Sequence, residues 1–231
     1  LVVYDSETGN TKKIATEILD AIQQAQKPLF VIGAGLSFGK QQDAFRQLLQ
    51  TINVPTVTSM IGVDTLPDTC KYRFGFIGAY GHRWANFMTA KSDLLITIGT
   101  RMDCRQTGSN KKTFAPKAKV LRIDVDPGEM TNKVKNNEKT YACDLKELIP
   151  ELVKLSKKFT MNHEKWLKEC NVFKNSLKKL DKLNENDLVK KISKKIPDNT
   201  VITTDVGQNQ VWVSQSFEVK DFQDASEKKA Q

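Results

Sequence analysis

Short apolar runs alternate with amphipathic stretches along most of the chain. The runs at residues 1–4, 29–32, 54–58, 94–98 and 120–125 have the length and the nearly continuous apolar character of buried strands. Between them, apolar residues recur every three or four positions, as they do on one face of a helix. This alternation predicts an α/β fold in which a doubly wound parallel sheet is covered by helices on both faces.

Five apolar stripes mark the predicted helices. They are Ile14, Ile18, Ala21, Ile22 and Ala25; Ala44, Phe45, Leu48, Leu49 and Ile52; Trp84, Phe87 and Met88; Leu145, Leu148, Ile149, Leu152 and Val153; and Leu188, Val189, Ile192 and Ile196. The segment at 156–184 differs, because Trp166, Phe173, Leu177 and Leu180 lie on a lysine-rich helix with no strand beside it. A further strand is predicted at 201–204.

The changes in pattern predict the domain organisation. We expect a strand-loop-helix lead-in at 1–26, a doubly wound α/β domain at 27–155, a helical linker at 156–184, the start of a second α/β unit at 185–217, and a polar, frayed tail at 218–231. The 231 residues are enough for one large domain or two smaller ones.

Composition narrows the classes of partner. The apolar content of 39% and the charged content of 27% are typical of a soluble globular protein, and no apolar run approaches the ~20 residues of a membrane span. Of the net charge of +9, the stretch 151–200 supplies +6, from thirteen lysines and seven acids without an arginine. A solvated helix face explains this better than nucleic-acid binding. We therefore expect a cytoplasmic protein with neither a membrane nor a nucleic-acid partner.

The cysteines and histidines suggest no metal site and no nucleophilic triad. Cys70, Cys104, Cys143 and Cys170 are widely spaced without a C-x-x-C pair, so reduced, partly buried thiols are expected. His163 is predicted to be a surface residue of the lysine-rich helix. His82 lies beside the loop 78–81 and could contact a ligand, but it has no obvious catalytic partner in the sequence.

Candidate binding residues follow the predicted strands, where a doubly wound sheet binds its ligands. Gly33, Ala34 and Gly35 would let a ligand approach the backbone, or would make a tight turn. Arg101, Asp103 and Arg105 would suit phosphates and hydroxyls, or would form a salt-bridged loop. Asp124 and Asp126 could hold ribose or ribityl hydroxyls, or could cap the next helix. Gly81 ends a further glycine-containing loop at 78–81, which precedes a predicted helix.

The opening segment raises a separate possibility. In VYDSETGNTKKIA, the residues Ser6, Thr8, Asn10 and Thr11 resemble the phosphate loop of flavodoxins, which would bind FMN at a helix N-terminus. The remaining strands and aromatic loops of a flavodoxin do not follow. The other interpretation is that Thr8 or Asn10 caps a helix that begins at Thr11, and we favour this cap.

Five segments, in this order, resemble thiamine-diphosphate-dependent enzymes of the acetolactate synthase type. They are KPLFVIGAGL, GFIGAYGHRWAN, DLLITIGTRMDCRQTG, VLRIDVDPGEM and NTVITTDVGQNQVW. The first four resemble the family's Rossmann-like central domain. The last resembles the start of the domain that binds the cofactor's diphosphate. The resemblance covers about residues 27–217.

The resemblance implies a function and a set of contacts. In acetolactate synthases the central domain binds FAD as a structural cofactor. By position the contacts would be Gly33, Ala34, Gly35, Gly81, Arg101, Asp103, Arg105, Asp124 and Asp144, while Gly207, Gln208 and Asn209 would touch thiamine diphosphate. The implied reaction decarboxylates pyruvate or another 2-oxo acid and transfers the remaining two-carbon unit, with Mg²⁺ present. Such enzymes form dimers or tetramers.

The chain also departs from the family's pattern. Asn209 stands where the synthases usually carry His, and Cys104 where they carry a second Asp. No residue matches the glutamate that activates the thiamine or the metal-binding Gly-Asp-Gly segment, so we expect this chain alone to be inactive. The alternative function is a non-catalytic flavin or nucleotide-binding module, FMN included.

Overall fold

The computed structural model describes residues 2–4, 8–180, 184–197 and 200–220. Its centre is one sheet of seven parallel strands. These are β1 (Val2–Tyr4), β2 (Pro28–Ile32), β3 (Thr56–Thr58), β4 (Arg73–Phe76), β5 (Leu94–Ile98), β6 (Lys119–Asp124) and β7 (Lys139–Ala142), in the spatial order β1-β7-β6-β5-β2-β3-β4. The all-parallel, doubly wound α/β architecture is therefore confirmed.

Helices cover the sheet on both faces. The helices of the described chain are α1 (Thr8–Gln24), α2 (Gly35–Phe38), α3 (Gln42–Ile52), α4 (Arg83–Lys91), α5 (Cys104–Thr107), α6 (Leu145–Ser156), α7 (Glu164–Lys178), α8 (Asn184–Lys195) and α9 (Gln208–Ser216). Short 3₁₀ turns lie at Met60–Gly62, Lys111–Thr113 and Glu129–Thr131. The helices α1, α3 and α6 pack together on one face, and α4 and α7 on the other.

Strand β2 shows how the continuous apolar runs build two cores. Phe30 and Ile32 point into the core under α1, α3 and α6, whereas Leu29 and Val31 point into the core under α4 and α7. Because successive side chains of a strand face opposite ways, a strand buried on both faces needs apolar residues at every position. Each such side chain contributes roughly 1.5–3 kcal/mol on full burial.

The lysine-rich segment at 156–184 forms a helix that is anchored by one aromatic side chain. In α7, Trp166 is only 2% exposed, and its Nε1–H donates a 2.9 Å hydrogen bond to the carbonyl oxygen of Pro28. Lys165, Lys168 and Lys178 of α7 are exposed, whereas Lys174 is partly buried. The helix therefore packs on the surface of the sheet domain, while the domain boundaries themselves stay a prediction.

Several boundaries and elements differ from the sequence-based prediction. Strands β4 and β7 were not predicted: β4 contains a glycine, and β7 is short and begins with a lysine. The strand predicted at 201–204 is wrong, since within the described part of the chain this segment pairs with no strand and its side chains are exposed. Without a neighbouring strand, its backbone cannot form a ladder.

The two ends of the chain are tied to the domain where they are described. Strand β1 pairs with β7, so the lead-in contributes an edge strand to the same sheet. Near the other end, Val219 exchanges hydrogen bonds with Asp68: each backbone N–H donates to an oxygen of the other residue, at 2.9 and 2.6 Å. The predicted fraying is therefore wrong for 218–220, and residues 221–231 lie outside the described residues.

Candidate functional site

The strand order reverses between β2 and β5, and the loops that follow these two strands pack directly against each other. The N–H of Gly33 donates to Ile98 O at 2.9 Å, and that of Gly35 donates to Gly99 O at 3.1 Å. A Cβ at Gly33 would lie 2.1 Å from Gly99 O, and one at Gly35 would lie 2.7 Å from Gly99 Cα. These glycines are therefore required by the contact between the two loops, which forms the floor of a crevice.

A cleft of about 690 Å³ opens above this floor, at the carboxyl ends of β2, β5, β6 and β7. Ligands of doubly wound sheets bind at such a position. The cleft brings together seven of the sequence-predicted residues, which are Ala34, Gly35, Arg101, Asp103, Asp124, Asp126 and Asp144. Gly33 lies beneath it. The prediction that these loops converge depends only on the parallel sheet, which places their strand ends at one edge.

The carboxylates of the cleft also organise the local backbone. Asp103 caps α5 by accepting hydrogen bonds from the N–H groups of Arg105 and Gln106, at 2.9 and 3.1 Å. Asp144 caps α6 by accepting from Lys146 N at 2.9 Å. Both are ordinary N-caps, and each aspartate uses only one of its carboxylate oxygens. The second oxygen of each carboxylate makes no hydrogen bond to a described residue.

The turn after β6 is held by its own acids. Asp124 Oδ1 accepts from Asp126 N at 3.1 Å, and Asp126 Oδ1 accepts from Gly128 N at 2.8 Å. These bonds lie within the turn, and no side chain caps the 3₁₀ turn that follows at Glu129–Thr131, so the capping alternative is wrong here. Arg101 is 77% exposed and pairs with Glu129 at 3.4 Å.

The cleft is acidic overall. Its lining includes five acids, Asp103, Asp124, Asp126, Glu129 and Asp144, and two basic residues, Arg101 and Lys146. Carboxylates accept hydrogen bonds from hydroxyl groups. The arrangement can therefore bind a hydroxyl-rich ligand, with Arg101 and the loop backbone as donors for phosphate oxygens.

A buried ion pair that sequence reasoning missed supports the rim of the cleft. Arg122, in the middle of β6, is 1% exposed and pairs with Glu138 at 3.1 Å. Its guanidinium also donates to the carbonyl oxygens of Asn132, Glu129 and Arg101, at 2.9, 3.2 and 3.4 Å. The network fixes the loops that carry Arg101 and Glu129. The available signal was a single arginine within an apolar strand, which requires a buried partner.

A second cleft of about 460 Å³ adjoins the first and shares Ser59, Ile61, Asp103 and Gln106 with it. Three more of the predicted residues line it, which are Arg105, Gly207 and Gln208. Asn209 lines neither cleft, and its Nδ2 donates to Asp205 Oδ1 at 3.0 Å. Gly81 lies outside both clefts, where a Cβ would meet Phe76 O at 2.5 Å.

His82 links the start of α4 to the C-terminal segment. Phe76 N–H donates to its Nδ1 at 3.1 Å, so Nε2 carries the proton and donates to Gln215 O at 3.0 Å. Burial lowers the pKa of His82 to about 4, with repulsion from Arg73 and Lys174 acting in the same direction. His82 is therefore a neutral structural residue, and it lines neither of the two clefts.

His163 is not a surface residue, contrary to the prediction. It is 5% exposed, at the residue before α7, and burial lowers its pKa while Asp93 acts in the opposite direction. Cys143 and Cys170 are buried and Cys70 is partly buried, as expected, whereas Cys104 is exposed.

The opening loop is only partly described. Ser6 lies outside the described residues, and Thr8 is the first residue of α1, so Asn10 lies inside the helix rather than before it. The helix thus begins three residues earlier than predicted. Thr11 is 4% exposed, and its hydroxyl donates to Glu147 Oε2 at 3.2 Å, towards α6. The binding of phosphate by this loop stays a prediction.

Among the described residues, no group of three or more His, Cys, Asp or Glu side chains is placed to hold a metal ion. No helix described here combines the length and the apolar character needed to cross a membrane.

The comparison with known protein families agrees with this geometry. The model for the central domain of thiamine pyrophosphate enzymes matches residues 15–152, more than half of the 231 residues. The chain belongs to this family. The matched segment contains every described strand from β2 to β7 and all the residues that line the larger cleft.

Relatives of this family member include large subunits of acetolactate synthase. The chain is 32% identical over 199 residues to the isozyme 2 large subunit of Escherichia coli, covering 84% of this chain and 35% of that protein. It is 29% identical over 240 residues to a probable large subunit of Methanococcus aeolicus, covering 95% and 40%. A Lactococcus lactis large subunit is 29% identical over 224 residues, covering 94% and 38%. The chain thus spans little more than a third of their length.

Proposed function

We propose that this family member is the central portion of a thiamine-diphosphate-dependent enzyme of the acetolactate synthase type, which acts on pyruvate or another 2-oxo acid. The observation that carries the proposal is the convergence of the family's strand-end segments on one cleft, within the matched residues 15–152. When bound in the complete enzyme, thiamine diphosphate supplies the carbanion chemistry of decarboxylation and two-carbon transfer. Because key segments lack counterparts here, we expect the chain alone to be inactive.

We further propose that the larger cleft binds FAD. Its volume of about 690 Å³ lies within the range of ~300–1,000 Å³ that is usual for small-molecule sites. The residues fit the group: carboxylates of Asp124 and Asp144 would accept from ribose or ribityl hydroxyls, and Arg101 would donate to a phosphate. Gly33 and Gly35 would act indirectly, because their contact with Gly99 allows the floor of the cleft to form.

The thiamine diphosphate contacts are proposed for the start of α9. Gly207 and Gln208 line the adjoining cleft, and the φ of Gly207 is +153°. Asn209 would contribute from the first turn of the helix, where it is held by Asp205. Mg²⁺ is proposed for the complete enzyme only. The remaining proposals are a cytoplasmic location, a homo-oligomer of two or four chains, and no nucleic-acid or membrane partner.

The activity is tested on the protein purified from its own source. Acetolactate formation from pyruvate is measured with and without added thiamine diphosphate and Mg²⁺, after gel filtration has removed small molecules. We expect turnover that depends on both additions. Turnover without any thiamine dependence, or consumption of no 2-oxo acid among a panel, would contradict the proposed function.

Flavin binding is tested separately on the 231-residue chain, by quenching of FAD fluorescence. We expect Arg101→Met to weaken FAD binding by about tenfold, which corresponds to one charge-assisted hydrogen bond. The control is Arg46→Met, since Arg46 lies on α3 and pairs with Asp43 outside the cleft. Flavin binding without thiamine-dependent turnover would favour the non-catalytic module. No observation in the described residues favours the flavodoxin-like alternative.

A further inference from the structure

A third cavity, distinct from the two clefts, lies between the start of α4, helix α7 and the end of α9. Its volume is about 450 Å³. Five basic side chains line it, from four different parts of the fold: Arg73, Arg83, Lys174, Lys178 and Lys190. Neither the proposed FAD cleft nor the thiamine contacts include any of them.

The acids around the cavity compensate only part of this charge. Three acids line it, Asp68, Asp187 and Glu218, against five cations. Asp68 pairs with Arg73 and also accepts from Val219 N. Glu218 pairs with Lys190 at 3.3 Å. Two of the three carboxylates are therefore already engaged.

Lys174 and Lys178 hold the uncompensated charge. They are four residues apart on α7, and within the described residues neither forms an ion pair. The nearest contacts of Lys174 Nζ are the carbonyl oxygen of Arg73 at 3.5 Å and the ring centroid of Phe74 at 5.5 Å. Burial lowers the pKa of Lys174, repulsion from Lys178 and Arg73 adds to this, and attraction to Asp68 opposes it only in part. A bound anion would remove the repulsion.

Two further polar groups at the cavity lack partners. Arg73 is 8% exposed, and its Nε has no hydrogen-bond acceptor. Asn186 Oδ1 has no donor, although its Nδ2 donates to Gln215 Oε1 at 3.2 Å. A ligand that carries both an anion and a hydroxyl would match these groups, since buried polar atoms normally have partners.

We propose that this cavity binds a phosphate group, either as inorganic phosphate or as the monoester of a small hydroxylated molecule. Lys174 and Lys178 would donate to the phosphate oxygens, with the guanidinium of Arg73 behind them. Asn186 Oδ1 would accept from a hydroxyl of the ester. The site is independent of the proposed catalytic function.

Proton NMR of the two histidines provides a local test on the 231-residue chain. His82 lines this cavity and His163 does not, and the chain has no other histidine. Inorganic phosphate is titrated at neutral pH and constant ionic strength, with chloride as the replaced salt. We expect a saturable shift of the His82 resonances, with those of His163 unchanged. Equal shifts with chloride alone would overturn the proposal.

Substitutions on α7 identify the groups that bind. We expect Lys174→Met and Lys178→Met each to weaken phosphate binding by about tenfold, as for one charge-assisted hydrogen bond. The matched control is Lys168→Met, since Lys168 is 81% exposed on the same helix, outside the cavity. Thermal unfolding measures whether each variant is folded. If Lys174→Met does not fold, Lys178→Met tests the site, because Lys178 lies on the exposed rim of the cavity. If both α7 variants bound phosphate as tightly as Lys168→Met does, the proposed site would be wrong.

The two sources of phosphate are separated with glycerol 3-phosphate as the second probe. Tighter binding of the ester than of inorganic phosphate, lost in Asn186→Leu, would assign the site to monoesters. Equal or weaker binding of the ester would assign it to inorganic phosphate. Failure of both probes to bind would overturn the proposal and would leave the proposed enzyme function untouched.

Discussion

Replacing His82 with Asn should remove a large part of the pH dependence of folding stability. In the folded chain, Nδ1 of His82 accepts from Phe76 N–H, so a proton added there would destroy that hydrogen bond and would face Arg73 and Lys174. The pKa is lowered from 6.5 to about 4. At a pH between these two pKa values, the unfolded chain binds a proton at residue 82 that the folded chain does not bind.

The sign and size of the effect follow from linkage. Because the folded pKa is below the unfolded one, the contribution of His82 is fully present above its unfolded pKa and is lost as the pH falls. A pKa of about 4 against 6.5 gives a loss of about 2 kcal/mol between about pH 7.5 and pH 5. This is a large fraction of the ~5–15 kcal/mol that stabilises a typical protein.

Urea denaturation of the wild type and of His82→Asn across this pH range measures how much free energy of unfolding each protein loses. The wild type should lose about 2 kcal/mol more free energy of unfolding than His82→Asn. His163, whose pKa is also lowered by burial, is present in both proteins and cancels in the comparison. The lowered pKa of Glu17 acts only at lower pH. Identical pH profiles for the two proteins would show that His82 is not held neutral by this environment.

Three further predictions test the supports of the larger cleft and the thiols. Arg122→Met should destabilise folding by about 3–5 kcal/mol in urea denaturation, because it leaves Glu138 as an unpaired buried charge; the double variant with Glu138→Gln should recover part of this loss. Gly35→Val should destabilise the fold and abolish FAD binding, since its side chain would collide with the loop after β5; unchanged FAD quenching would contradict this role. In the native protein, a thiol reagent should modify exposed Cys104 rapidly and Cys170 only on unfolding, because Cys170 is buried and burial raises the pKa of its thiol; equal rates would refute this.

The two strands that escaped prediction show where local pattern fails. In β4, Gly75 has φ +77°, and a Cβ there would lie 2.4 Å from His82 Nδ1. The glycine is present because the imidazole packs against it, which no local propensity reveals. The converse error is the segment at 201–204, whose sequence has strand character but no neighbouring strand in the described structure.

Some features of the candidate site could likewise be predicted from the sequence, and others could not. Once the sheet is known to be parallel, the loops after β2, β5 and β6 must meet at one edge, and their residues line one cleft. The sequence did not indicate that Gly33 and Gly35 contact Gly99 rather than a ligand. Nor did it indicate which carbonyl oxygens Arg122 would bind, since those lie 7 to 21 residues away along the chain.

By itself, the sequence determined the α/β class and the strand ends that could hold ligands. The spacing of apolar residues indicates both the class and the strand ends, because a strand buried on two faces must be apolar throughout and a covering helix must be apolar on one side. Only the tertiary structure decided the partners of the buried charged and polar groups. His82 and Lys174 owe their lowered pKa values in part to charged residues of other elements, and Arg122 owes its contacts to such residues. Electrostatic interactions depend on distance in space rather than on separation along the chain.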